Sequence, residues 1–249
     1  MKPLVQHQQE IERNRRCWEH KPSLRRIYAE FYQRLTAWID PSRPGRIVEL
    51  GSGIGNLKSH LPQALCTDLF ANPWLDLVCD GYEMPFRDGS VSHLVLFDVF
   101  HHLQAPRAFL VEARRVLSGQ GRLLLFEPFI SLASRPAFGW FHHEPIAWGQ
   151  PIDLSEAAPK PRGYYAAQGN ATRLFFRREH PELIEGWRLR HAEAFSAFAY
   201  LLSGGYSRPA LYPAWAGSVL RRLDRVLSRW PRVFGARCLV VLEPQPNSG

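Results

Sequence analysis

The sequence predicts an α/β protein: a seven-stranded, doubly wound sheet, mostly parallel with its last strand antiparallel, and helices on both faces. Three observations predict it. From residue 46 onward, short apolar runs alternate with helical patterns or loops. Four of those runs end in a glycine cluster or a carboxylate, at Gly51–Gly55, Asp68, Asp80 and Asp98. The stretch GRLLLFEPF is apolar without alternation, as strands buried on both faces are.

Each element has its own signal. In residues 1–40, Ile27, Phe31, Leu35 and Trp38 recur at three- and four-residue steps, so the segment reads as helical until Asp40-Pro41. PSRPG is a turn, RIVEL a strand, and IGNLKSHL the opening of a helix that Pro62 breaks. ALCTDLF and LDLVCD are the second and third strands and VSHLVLFDVF the fourth. Residues 106–117 form a helix with proline in its first turn and Phe109, Leu110, Ala113, Val116 and Leu117 on one face. An SGQG turn precedes the fifth strand. WRLRHAEAFSAF and RCLVVLEP pair as the sixth and seventh strands, and between them PAWAGSVLRRLDRVLSRW is an amphipathic helix. The organisation expected is an N-terminal helical extension over residues 1–43 and one domain over 44–249, with an irregular cap inserted at about 131–180.

The run VELGSGIGN raises a chemical question, because glycines 51, 53 and 55 stand at every second position directly after a strand. A glycine forgoes packing and costs chain entropy, so three together imply either a tight turn or a ligand lying on bare backbone. The spacing differs from the GxGxxG of dinucleotide dehydrogenases, since the third glycine comes one residue early. In open sheets of this kind ligands bind beyond the carboxyl ends of the strands, where Asp68, Asp80 and Asp98 also fall. For each of these acids a helix cap or turn is the structural alternative.

Taken together, VELGSGIGN, TDL, CDGYEMPF and FDVFHHL resemble the class I S-adenosylmethionine-dependent methyltransferases, and within them the small-molecule group related to quinone biosynthesis. The resemblance spans roughly residues 44–130 and implies a Rossmann-like fold with S-adenosylmethionine as cofactor. It implies that Gly51, Gly53 and Gly55 admit the methionine and ribose, with Glu49 supplying negative charge. Asp68, with Leu69 beside it, takes the ribose hydroxyls. Asp80, Gly81 and Tyr82 flank the adenine, and Phe97 and Asp98 lie near the methyl-bearing sulfur. Methyl transfer is an in-line displacement that depends on positioning, and an oxygen acceptor also needs a base. His101 and His102 are the candidates, with packing the other reading for one of the pair. His143 of the cluster His142-His143-Glu144 joins them; the cluster's other readings are a partner for a substrate carboxylate, a pair of metal ligands, or loop stabilisation. Tyr28, Phe31 and Tyr32 either close over the cofactor or only pack. Trp140, Phe141, Trp148, Tyr164 and Tyr165 either line an apolar acceptor pocket or hold the loop together. The implied activity is methylation of a small molecule, with oxygen the expected acceptor atom.

Composition sets the remaining bounds. The chain has 249 residues, 45% hydrophobic and 22% charged, with a net charge of +8. No apolar run is long enough to span a bilayer, and the polar start carries no secretory pattern, so a cytoplasmic protein is expected. The four cysteines lack metal or disulfide spacing, and no metal is expected. The basic excess leaves open an RNA or DNA substrate, although FDVF lacks the Asn/Asp-Pro-Pro-aromatic step that grips a flipped base. A non-catalytic interaction subunit is the third reading. The basic, apolar-striped helix at 213–230 has two readings: packing on the sheet, or peripheral contact with an anionic membrane.

Overall fold

The structure, a computed structural model, describes residues 2–141, 146–159 and 167–246. Helix α1 (Lys2–His20) and α2 (Pro22–Thr36) are separated at Lys21, which the following proline holds out of the helical region at φ −123° and ψ 79°. The expected single helix is therefore two. Helix α2 buries Leu24, Ile27, Tyr28, Phe31, Tyr32 and Leu35 against one face of the sheet. At about 2 kcal/mol per large side chain, that face supplies on the order of 10 kcal/mol of gross burial.

The seven strands are β1 (Arg46–Leu50), β2 (Leu65–Asp68), β3 (Leu77–Val78), β4 (Val91–Phe97), β5 (Leu117–Pro128), β6 (Trp187–Phe195) and β7 (Arg237–Pro244). Their order is β3-β2-β1-β4-β5-β7-β6. Strands β1 to β5 run parallel, while β7 lies antiparallel between β5 and β6. The order reverses between β1 and β4, which opens a crevice at their carboxyl ends. The SGQG segment lies inside β5 as a bulge: Val91 pairs with Leu117 and His93 with Arg122.

One departure bears on the site. IGNLKSHL makes only a 3₁₀ turn at Asn56–Ser59, because Gly55 precedes it at φ 71° and Pro62 and β2 follow at once. The opposite face of the sheet carries α3 (Pro106–Val116), whose Phe109, Leu110, Ala113 and Val116 pack with Leu94, Leu96, Leu123 and Leu125. Helix α4 (Ser134–Phe141) opens the insert, and α5 (Phe198–Leu202), α6 (Ala216–Leu227) and α7 (Pro231–Phe234) lie between β6 and β7.

Helix α6 is rotated from its apolar pattern, so that Leu220 packs on the core while much of the stripe faces out. It buries Gly217 and Asp224, while Val219, Leu223 and Val226 are 55%, 46% and 47% exposed. The cause is Asp224, which accepts hydrogen bonds from Ser196 Oγ (2.6 Å) and from the amides of Phe198 (2.7 Å) and Ala199 (2.9 Å). It thereby caps α5, which has no capping side chain of its own.

Candidate functional site

The glycine loop is stapled to β2. Ser52 N donates to Thr67 O (2.8 Å), Thr67 N to Ser52 Oγ (3.0 Å) and Gly53 N to Asp68 Oδ2 (3.1 Å). Gly51, at φ +66°, is required by the protein itself, since a Cβ there would stand 2.3 Å from Val99 Cγ2. Gly53 differs: at φ +54° it presents bare backbone, and the nearest atom to an added Cβ is Ile11 Cδ1 of α1, at 3.7 Å.

That backbone lines a cavity of about 250 Å³ shared with Glu49, Asp98, His101 and His102. Tyr28 and Tyr32 of α2 form the far wall, while Glu10, Arg13 and Asn14 of α1 and the 204–207 turn contribute the rest of its edge. Burial holds the phenols of Tyr28, Tyr32 and Tyr206 well above their ordinary pKa, and so neutral. Phe31 packs behind them rather than lining the space. Lys21 Nζ anchors the junction of α1 and α2 by donating to Gly205 O and Arg208 O, both at 2.7 Å.

Two buried acids serve this space differently, Glu49 in its lining and Glu127 behind it. Glu49 is 2% exposed; burial pushes its carboxyl up to about 8, with the charge of Asp68 adding and contacts to Ser52 and Cys66 opposing. Glu127, fully buried in β5, accepts from the amides of Val99 (2.9 Å), Phe100 (2.7 Å) and His101 (3.2 Å). Its Oε2 also lies 2.5 Å from His101 Nδ1. Burial alone would raise this carboxyl, but His101 and the amides outweigh it and hold it below the ordinary range. Glu127 thus fixes the short 3₁₀ turn Phe100–His102 and orients the His101 imidazole. The His102 ring lies 4.0 Å from that of His101, centre to centre.

Asp98 directly follows β4 and sits in the left-handed region, at φ 59°, where a non-glycine residue is strained. Its Oδ1 is 2.7 Å from Nη1 of the buried Arg237. Phe97 stacks on Phe126 (4.6 Å, 15°) and also lines the cavity.

The other predicted residues lie on the neighbouring rim, outside this cavity's lining. Asp68 closes the glycine loop and also accepts from Leu69 N (2.7 Å). Asp80 Oδ1 accepts from Tyr82 N (2.9 Å), making a side-chain turn. Gly81 faces Phe109 and Leu50, and Tyr82 OH accepts from Ala105 N (3.2 Å). Trp148 lines an apolar recess that reaches His101. His142, His143, Glu144, Tyr164, Tyr165 and the side chains of Trp140 and Phe141 lie outside the described residues. Among the described residues, no cluster of three or more His, Cys, Asp or Glu side chains is placed to hold a metal.

Glu127 and Arg237 escape the sequence reading, yet a signal exists for both. Each stands at the crevice end of an apolar strand run, GRLLLFEPF and RCLVVLEP, and such charges are almost never fully buried unless paired.

Residues 48–125 match the family described as "Methyltransferase domain". No curated protein sequence matches. Among solved structures, geranyl diphosphate C-methyltransferase from Streptomyces coelicolor A3(2), in complex with Mg2+, geranyl diphosphate and S-adenosyl-L-homocysteine, superposes with a TM-score of 0.52 at 11% identity. The match covers 88% of this chain and 81% of that one. A putative methyltransferase from Bacillus halodurans C-125 gives 0.51 at 13% identity over 86% and 99% of the two chains. The fold is that of the class I S-adenosylmethionine-dependent methyltransferases, and the stretch that matches the methyltransferase-domain family runs from β1 into β5.

Proposed function

We propose that the protein is an S-adenosylmethionine-dependent methyltransferase acting on an oxygen of a small molecule. The observation that carries this reading is the His101–Glu127 pair, 2.5 Å apart and buried, on the wall that also carries the bare backbone of Gly53. The residues fit the cofactor: Gly53 leaves room at the main chain, and Glu49 offers a carboxylate to an ammonium. When bound, the cofactor supplies a methyl group activated by a sulfonium. Asp68 and Leu69 would hold the ribose, and Asp80, Gly81 and Tyr82 the adenine. Phe97 and Asp98 stand where β4 ends, beside the reacting centre.

The chain's own task is to position the acceptor, exclude water and remove a proton. With Nδ1 donating to Glu127, the Nε2 atom of His101 is the basic nitrogen, and the carboxylate steadies the imidazolium that forms. Glu127 is the positioning residue. His143 is the second candidate for proton transfer.

Calorimetry with S-adenosylhomocysteine, followed by labelled methyl transfer to a panel of phenols and carboxylic acids, tests this. Saturable binding and methyl ester or ether products support it. No binding up to millimolar ligand refutes the cofactor assignment, and transfer unchanged in His101→Gln refutes the base.

We further propose an anionic membrane surface as a peripheral partner. Trp215 (75% exposed), Val219, Leu223, Val226 and Trp230 (54%) form an apolar face beside Arg222, Arg225 and Arg229. No helix among the described residues is long and apolar enough to cross a membrane. Flotation with phosphatidylglycerol vesicles, lost in Val219→Ser/Leu223→Ser/Val226→Ser and absent with phosphatidylcholine alone, is the expected result. No flotation of wild type overturns it.

A further inference from the structure

Arg237 opens β7 at the same rim as Asp98 and is 1% exposed, yet lines the cavity. Its guanidinium has five N–H donors and one charged neighbour, Asp98, reached through Nη1 at 2.7 Å. The rings of Phe126, Tyr200, Phe97 and Phe31 surround it, with centroids 4.9, 5.3, 5.4 and 5.5 Å from Cζ. Rings attract the charge, and any N–H hydrogen they accept on their faces is held more weakly than by an oxygen. Among the described residues, Nε and Nη2 have no hydrogen-bond partner.

Those two nitrogens form one edge of the guanidinium plane, and their parallel N–H bonds match the two oxygens of a carboxylate. Both nitrogens are buried in a residue that lines the cavity, and a buried donor pair left unsatisfied costs stability, so the pair calls for an acceptor from outside the chain. Of the surrounding rings, Phe97 and Tyr200 also line the cavity, and they suit the apolar body attached to such a group.

We propose that Arg237 is the anion receptor of the acceptor site, and that the methyl acceptor is a small apolar or aromatic hydroxy acid: its carboxylate seats on the Nε/Nη2 edge, while its hydroxyl loses a proton to His101 and takes the methyl group. The inference deepens the methyltransferase reading and rests on it. Asp98 meets the guanidinium at Nη1 as an ion pair, its Oδ1 making no aligned hydrogen bond among the described residues, and leaves the opposite edge for the substrate.

The test is calorimetric titration of benzoate, and of its neutral counterpart benzamide, into the full chain saturated with S-adenosylhomocysteine. Benzoate is expected to bind at least tenfold more tightly than benzamide. Arg237→Gln should lose that preference while keeping its affinity for S-adenosylhomocysteine within twofold. Arg237→Lys keeps the charge opposite Asp98 but lacks the fork; it is expected to fold with a melting temperature near wild type and to lose most of the preference.

Equal binding of benzoate and benzamide overturns the proposal, as does unchanged benzoate affinity in Arg237→Lys. Loss of S-adenosylhomocysteine affinity in Arg237→Gln, or competition between S-adenosylhomocysteine and benzoate, assigns the edge to the cofactor's own carboxylate and also overturns it. Binding of phenyl phosphate with no response to benzoate removes the carboxylate assignment. If wild type fails to bind S-adenosylhomocysteine, the methyltransferase reading fails separately, and benzoate titrated alone still reads the subsite.

Discussion

Replacing Glu49 by Gln removes a buried acid while preserving its shape and its acceptor oxygen toward Cys66, 3.6 Å away. In the folded chain this carboxyl is raised from 4.5 to about 8, chiefly by burial. A raised folded value means stability is fully present below pH 4.5 and drains away as pH climbs to about 8. At about 1.4 kcal/mol per tenfold, the ionised form costs about 5 kcal/mol above that pH. For a chain of this size the cost amounts to roughly 10–20 °C in melting temperature. Thermal or guanidinium unfolding at a series of pH values should show wild type losing stability from pH 5 to 9 relative to Glu49→Gln. The difference between the two proteins isolates this one group. Saturating S-adenosylhomocysteine should shrink the gap, since its ammonium favours the carboxylate, and binding near pH 7 should release a proton that the variant does not release. Parallel stability curves would refute the reasoning.

The two loop glycines should separate in mutagenesis. Gly51→Ala meets both Val99 and a left-handed backbone, for a loss of roughly 3 kcal/mol, partly restored by Val99→Ala. Gly53→Ala should cost only about 1 kcal/mol, yet weaken S-adenosylhomocysteine in calorimetry. Glu127→Gln should lose about 2–3 kcal/mol as its charged acceptor role is weakened. Because Glu127 is held below 4.5, wild type should lose stability as pH falls through that region more steeply than the variant, by denaturant titration. Asp80→Ala should weaken S-adenosylhomocysteine binding, whereas His101→Ala or His102→Ala should cut turnover with that affinity unchanged, as single-turnover assays would show.

The parallel half of the sheet is legible because its signals are local. RIVEL, LCTD and VSHLVLF are apolar runs that stop at turn-formers or acids, and each stop falls at the crevice. The helix after the glycine loop is not legible, since its apolar spacing promises more than the few residues before Pro62 allow. Periodicity also misorients α6. Its stripe points to the core, but one inward carboxylate, Asp224, secures three hydrogen bonds and turns much of the stripe outward. At the site, Glu49 and His101 are read from motif spacing. Their partners come from strands distant in sequence, and no periodic pattern pairs residue 101 with 127 or 98 with 237.

Slotting β7 between β5 and β6 makes the crevice a product of the whole polypeptide. A growing chain on the ribosome holds the glycine turn and the β4 rim long before the guanidinium that completes them. Assembly must leave a gap that the final strand enters from the side, a slow, non-local step. Until it enters, Asp98 faces an aromatic chamber without its counter-charge, so occupancy of this crevice reports that the fold is finished.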